Sequence, residues 1–139
     1  MTDDQWITFK IGEAHYVHSV MAIKEIIPHS PPAPVPGAPQ VTEGVLNVRG
    51  TVITIVSGRK LFNQTIEALE DSRIIILELK TGFIGISVDS VGSIIQFQQE
   101  QAEWQDHHEL IRGTVNYEGQ LHIIADFTEQ SWSAEESDH

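Results

Sequence analysis

The chain has 139 residues, 40% of them apolar, enough for one compact domain or two very small ones sharing a core. Its 20 acidic residues against 8 basic ones give a net charge of −12, which works against attraction to a phosphate backbone and excludes nucleic acid as an expected partner. With no cysteine there is no disulfide framework, thiol nucleophile or thiolate metal site, and no apolar run approaches the roughly 18 residues of a membrane span. The opening Met-Thr-Asp-Asp-Gln-Trp lacks the regions of a secretory signal, so a cytoplasmic protein with no direct membrane insertion is expected.

The dominant period along the chain is two. From Trp6 to Ile11, Ile7, Phe9 and Ile11 point one way and Trp6, Thr8 and Lys10 the other, the pattern of a half-buried strand. Gly12-Glu13 is a two-residue turn, and His15–Val20 returns from it. Val20–Ile27 mixes Val20, Ile23, Ile26 and Ile27 with Lys24 and Glu25, which fits a helical turn passing into a short strand and leaves its type open. All six prolines lie between Pro28 and Pro39, where each fixes φ and removes a donor, so this stretch is an extended connector.

Strand-like runs resume at Val45–Val48 and Thr51–Val56, separated by Arg49-Gly50 and followed by Arg59–Phe62 and a polar loop, Asn63–Ser72. Gly50 can adopt a conformation that a Cβ resists, so Asn47-Val48-Arg49-Gly50 reads as a hairpin tip that presents its arginine. The plainer reading is a solvated arginine beside a turn glycine. Ile74–Leu77 are four consecutive aliphatics, the sign of a strand covered on both faces, and Thr81-Gly82 turns toward Phe83–Val88. Val91–Phe97 makes another strand, Gln98–Glu109 is a loop or short helix, and Leu110–Val115 and Leu121–Phe127 flank a third hairpin turn at Glu118-Gly119. Short strands at this spacing indicate an all-β barrel or sandwich, and eight to ten of them suit two small barrels packed together.

Catalytic chemistry has little to work with. His107-His108-Glu109 are adjacent and diverge on either a strand or a helix, His15 and His18 fall on opposite sides of a strand, and His122 alternates outward from Leu121 and Ile123. No HExxH, phosphate loop, GxSxG or GxGxxG is present. Asp89 and Asp126 act together only if folding joins them, and a strand-end turn is the simpler use of each. These residues argue against an enzyme, a metal and a cofactor.

Five segments in order, Trp6–Gly12, Ile23-Lys-Glu-Ile-Ile27, Gly44-Val-Leu-Asn-Val-Arg-Gly50, Ile84–Val91 and Ile111-Arg-Gly-Thr-Val115, resemble the CheW-like family of bacterial chemotaxis adaptors over residues 5–128. The resemblance implies two intertwined five-stranded SH3-like β-barrels, roughly 14–72 and 73–126, with the N-terminal strand and C-terminal segment crossing between them and residues 129–139 as a tail. It implies no catalysis. It implies instead a scaffold coupling the cytoplasmic tip of methyl-accepting chemoreceptors to the regulatory domain of a CheA-type histidine kinase. By position, Asn47, Arg49 and Gly50 inherit the family's marker motif. Arg49 would contact receptor or kinase, Gly44 would keep that surface close to the partner's backbone, and Ile23 with Glu25 would line the adjoining surface.

A planar five-donor guanidinium on a rigid turn suits partner carboxylates and carbonyls. The chain departs from the family after this motif, with Thr54, Ser57 and Gly58 before Arg59 where the family has a proline and then Asp-Leu before its arginine. The substitution is expected to remove a carboxylate and an apolar anchor and to add backbone freedom. A divergent scaffold for a pilus or other accessory pathway, a small-ligand or oligosaccharide-binding barrel, and a barrel hydrolase are the alternatives.

Overall fold

A computed structural model describes residues 4–65, 70–106 and 108–129. Among the described residues eleven strands form two sheets. The first sheet takes β1 (Asp4–Ile11), β2 (Ala14–Ser19), β8 (Ser90–Phe97), β9 (Ala102–Trp104), β10 (Ile111–Tyr117) and β11 (Gln120–Ala125), in the order β8-β1-β2-β11-β10-β9. The second takes β3 (Ile23–Pro28), β4 (Thr42–Val48), β5 (Thr51–Ser57), β6 (Arg73–Leu79) and β7 (Gly82–Val88), in the order β3-β6-β7-β5-β4. Residues 23–88 therefore make one sheet, and the segments before and after them make the other. The division expected at 72/73 gives way to this one because β6 and β7 pair with β3 and β5 rather than with the strands that follow.

The open question at Val20–Ile27 resolves as a 3₁₀ turn at Val20–Ala22, capped by the Ser19 hydroxyl, leading into β3. The segment after the Thr51–Val56 run enters a helical turn, α1 (Gly58–Leu61), and Gln98–Glu109 contains the unexpected β9. The proline connector does cross as an extended segment, pairing with β4 through reciprocal Ala33–Val45 hydrogen bonds of 2.8 and 2.9 Å. Part of the polar loop after Asn63 (66–69), together with His107 and Trp132, lies outside the described residues.

The core explains the two-sheet division. Ile53, Ile55, Ile74 and Ile76 pack with Ile27, Leu46 and Val48, all from the second sheet, so that sheet curls over its own filling. Val17, Ile95, Phe97, Val115 and Ile124, with Trp6, Ala102 and Tyr117, do the same for the first. The largest cluster joins the two sheets: Ile7, Phe9, Ile11 and Phe127 meet Val56, Ile75, Leu77, Ile84 and Ile86. Along β6, Ile74 and Ile76 face the private core and Ile75 and Leu77 the shared one, which is why four aliphatics run in succession. Each fully buried aliphatic of this size contributes about 1.5–3 kcal/mol relative to exposure. The shared cluster therefore makes separate folding of either sheet unfavourable.

One polar contact crosses the same junction. Arg59 on α1 donates to Asp89 through Nε (2.9 Å) and Nη2 (2.7 Å), with side-chain exposures of only 14% and 13%. Asp89 sits between β7 and β8, and its Oδ2 also accepts from the N–H of Gly12 in the β1–β2 turn at 2.8 Å. Its own N–H donates to Lys10 O at 2.9 Å, and Arg59 Nη1 reaches Thr65 O at 2.7 Å. Three connections from two sheets thus meet on one carboxylate.

His18 and His122 are buried and hydrogen-bonded. His18 accepts from Phe127 N at Nε2 (3.0 Å) and lies 3.0 Å from Ser19 O at Nδ1, so the neutral tautomer with its proton on Nδ1 satisfies both atoms. Its ring also stacks on Phe127 at 5.3 Å. His122 is 6% exposed while Leu121 is 54% exposed, which reverses the outward orientation expected for His122. Its Nδ1 is 3.0 Å from Gln120 O, a backbone partner that period-two reasoning does not reveal. Burial pushes the pKa of both rings below the ordinary 6.5.

Two tests follow from these contacts. Arg59→Ala is expected to cost about 3–5 kcal/mol by leaving Asp89 buried and unpaired, and Arg59→Ala with Asp89→Ala together less than the sum of the two, as read by urea unfolding. Because the folded imidazoles bind protons less readily than the unfolded ones, their contribution is complete above pH 6.5 and is lost as pH falls from there toward the depressed folded values. Unfolding midpoints should therefore fall between pH 7 and pH 5, with a shallower slope in His18→Gln, whose amide can still accept from Phe127; an unchanged slope contradicts the assignment to His18.

Candidate functional site

The β4–β5 hairpin closes on Arg49 and Gly50, both with positive φ (51° and 88°), the type I′ geometry that matches strand twist. A non-glycine residue there costs about 1–2 kcal/mol, so arginine is not the residue the backbone selects. Asn47 Oδ1 accepts from Gly50 N at 2.8 Å and holds the turn. The Arg49 side chain, 71% exposed, donates through Nη2 to Glu25 Oε1 on β3.

This pair spans the seam between the two edge strands of the second sheet. At the other end of the seam, His29 Nε2 lies 3.3 Å from Glu43 Oε1, and Glu43 Oε2 accepts from Ser87 Oγ at 2.7 Å. An ion pair this exposed contributes at most about 1 kcal/mol, so its main consequence is to orient the guanidinium. Beside it lies a shallow groove lined by Lys24, Glu25, Val48, Arg49, Ile53 and Phe83. Phe83 is 36% exposed. The arrangement offers hydrogen-bond donors next to an apolar floor, which suits a protein surface.

Of the six nominated residues, folding brings Arg49 and Glu25 into contact and gives Asn47 and Gly50 the task of shaping the turn. Ile23 is half-buried at the start of β3, packed against the shared core. Gly44 is not at a partner-facing surface. It is buried with φ 148°, and a Cβ there would sit 2.2 Å from Ala33 O, so the backbone it lets close is that of this chain's own connector.

The departure at Ser57-Gly58 is also structural. Ser57 Oγ accepts from Lys60 N at 3.1 Å and caps α1, a task that serine and aspartate share. A Cβ on Gly58 would meet Ser87 O at 2.4 Å, so glycine there permits close packing rather than adding freedom.

Sequence reasoning missed that the site has a counterpart. Gly113-Thr-Val-Asn-Tyr-Glu-Gly119 matches Gly44-Val-Leu-Asn-Val-Arg-Gly50 in spacing, and Glu118 and Gly119 repeat the positive φ values of the turn (51° and 83°). Gly113 lies against Glu103 O on β9 as Gly44 lies against Ala33 O. The shared Gly-x-x-Asn-x-x-Gly spacing was the available signal. Phe83 carried none, because exposed and buried apolar residues read alike.

A separate cavity of about 390 Å³ is lined by Trp6, His18, Met21, Trp104, Arg112 and Asp126, among others. Trp6 Nε1 is buried there without a hydrogen-bond partner, whereas the histidine and the carboxylate are engaged. His18 is committed at both nitrogens, and Asp126 Oδ1 accepts from Thr128 N (2.9 Å) and Thr128 Oγ1 (2.5 Å). Burial opposes the Asp126 charge, but these hydrogen bonds, with His18 and Arg112, outweigh it and hold the carboxyl below its ordinary 3.8. Asp89 and Asp126 are thus engaged separately. Among the described residues no three His, Asp or Glu side chains converge as metal ligands, and no helix is long and apolar enough to cross a membrane.

The model of the CheW-like domain family matches residues 5–131. The chain is 31% identical to the chemotaxis protein CheW of Treponema pallidum over 104 residues, 71% of this chain and 61% of that one. It is 33% identical over 90 residues to the Rhizobium meliloti protein of the same name, covering 64% of this chain and 58% of that one. The chain thus spans about three-fifths of the length of these two relatives. With the Thermotoga maritima CheW it shares 27% identity over 124 residues, 86% and 82% of the two chains. The crystal structure of the scaffolding protein TtCheW from Thermoanaerobacter tengcongensis superposes with a TM-score of 0.84 at 22% identity, covering 96% and 97% of the chains, and so shares the fold. On these matches and the two-sheet architecture, the chain belongs to the CheW-like domain family.

Proposed function

We propose that this chain is a non-enzymatic, cytoplasmic adaptor of bacterial chemotaxis, recruited to membrane receptor arrays, that couples the tips of methyl-accepting chemoreceptors to the regulatory domain of a CheA-type histidine kinase. The observation that carries the reading is Arg49. The chain keeps an exposed guanidinium at a left-handed turn position that glycine or asparagine would occupy with less strain, steers it with Glu25, and sets it in one groove with the exposed Phe83. Strain retained at an exposed position is the expected mark of a contact residue. The family of the chain and the names of its relatives supply the partner class. The Ser57-Gly58 departure gives no support to a different pathway, since both residues serve the fold.

Co-sedimentation with receptor-containing membranes and with the kinase tests the proposal. Arg49→Asn retains the turn and should leave thermal stability unchanged or slightly raised, while weakening retention at least tenfold, about 1.4 kcal/mol. Phe83→Ala should weaken it in the same direction. If neither partner retains the intact protein, the coupling role is wrong. If both retain it and neither substitution matters, the contact surface lies elsewhere.

A further inference from the structure

Part of one wall of the cavity beside Trp6 lies outside both sheets. β11 ends its pairing with β10 at Ala125, and Asp126, Phe127 and Thr128 continue beyond it. Asp126 and Thr128 line the cavity, while Phe127, 1% exposed, belongs to the cluster that joins the two sheets, its ring 6.4 Å from those of both Phe9 and Phe62. Asp126 N donates to Leu110 O at 2.9 Å.

The next bond of this segment runs to an atom that titrates. Phe127 N donates to His18 Nε2 at 3.0 Å, joining residues 109 positions apart. His18 is 2% exposed on β2, and its Nδ1–H on Ser19 O leaves Nε2 as the acceptor. Only the neutral ring can serve in this way. A proton on Nε2 would set one N–H against another and put a cation where water does not reach. Around the ring, β1 brings Trp6 and Ile7, the 3₁₀ turn Met21 and Ala22, and the end of β9 Trp104 and Gln105, all uncharged. The charged residues that share the cavity with it are Asp126 and Arg112. Arg112 Nε is 3.7 Å from Asp126 Oδ2, longer than a hydrogen bond, so this oxygen can still accept one.

We propose that His18 is a proton-sensitive latch on the segment after β11: when the ring takes up a second proton, Nε2 turns from accepting the Phe127 N–H to donating to the Asp126 carboxylate, and Asp126–Thr128 moves off the end of β2. The cavity then opens and Phe127 leaves the aromatic cluster. Burial holds the ring's pKa below the ordinary 6.5, so the latch is closed at neutral pH and releases as pH falls below that value. The movement breaks no rung of the β10–β11 or β2–β11 ladders, so both sheets can persist while the segment opens. The proposal is independent of the coupling role, and it places an effect of acid in one segment rather than in the fold as a whole.

NMR of the isotopically labelled intact chain between pH 7 and pH 5 tests it. At pH 7 the ring nitrogens of His18 should show the Nδ1–H tautomer and the Phe127 amide should be protected from exchange. As the His18 ring titrates, the protection factor of Phe127 should fall at least tenfold while those of Val17 and Ile124 hold. His18→Gln, whose amide can accept from Phe127 but cannot titrate, should keep Phe127 protected throughout. In Asp126→Asn, whose side-chain oxygen can still accept from Thr128, the release should move to lower pH. Phe127 protection that ignores the His18 titration, is lost in step with Val17 and Ile124, survives as a pH response in His18→Gln, or falls at the same pH in Asp126→Asn overturns the proposal.

Discussion

The Asp89 carboxylate is the constraint on which the architecture turns. It takes two hydrogen bonds from Arg59 and one from Gly12, so the helical turn after β5, the β7–β8 crossing and the β1–β2 turn converge on it. A buried carboxylate in this position is costly unless fully partnered, and here it is. Arg59 follows directly from β5, whose opposite end is the Arg49 turn. A seven-residue strand, about 23 Å long, therefore runs from the buried junction to the exposed arginine. The surface proposed for partners is carried on a strand anchored where the sheets meet.

Much of the fold was legible because burial and period are coupled. Ile7, Phe9 and Ile11 on one face of β1, and the four aliphatics of β6 between two cores, announce their surroundings directly. Turn positions were legible as well, since Gly50 and Gly119 follow from positive φ. The failures share a different cause. His122 is buried with a backbone carbonyl on its ring, and a pattern of apolar and polar letters cannot distinguish a satisfied polar residue from a solvated one. Gly44 was given an outward role because the segment it must admit, the connector at Ala33, precedes it by eleven residues of irregular chain. The division of the chain between sheets was missed because it depends on which strands pair, not on where they begin.

The candidate site was legible in part. The Asn47–Gly50 turn stood out from local spacing alone. The Glu25 contact joins residues far apart in sequence, and only the family resemblance placed both in one neighbourhood. The groove beside them was invisible, since Phe83 looks like an ordinary strand residue until the sheet leaves it exposed. The repeated Gly-x-x-Asn-x-x-Gly spacing adds a structural point. The same hairpin occurs in both sheets, but one tip carries Arg49 and the other Glu118, so equivalent scaffolds present opposite charges. The turn itself is common to both halves, and what it carries differs.

The central claim is that partners meet the chain at the Arg49 turn and its groove. The most direct measurement is NMR of the isotopically labelled protein titrated with a receptor-tip fragment and, separately, with the kinase regulatory domain. The account predicts that at least one titration perturbs a contiguous set of signals from Glu25, Val48, Arg49, Ile53 and Phe83, while the amides around Asp89 keep their positions. Perturbations from both partners confined to surfaces away from this turn, or spread through the shared core as the sheets separate, would contradict it.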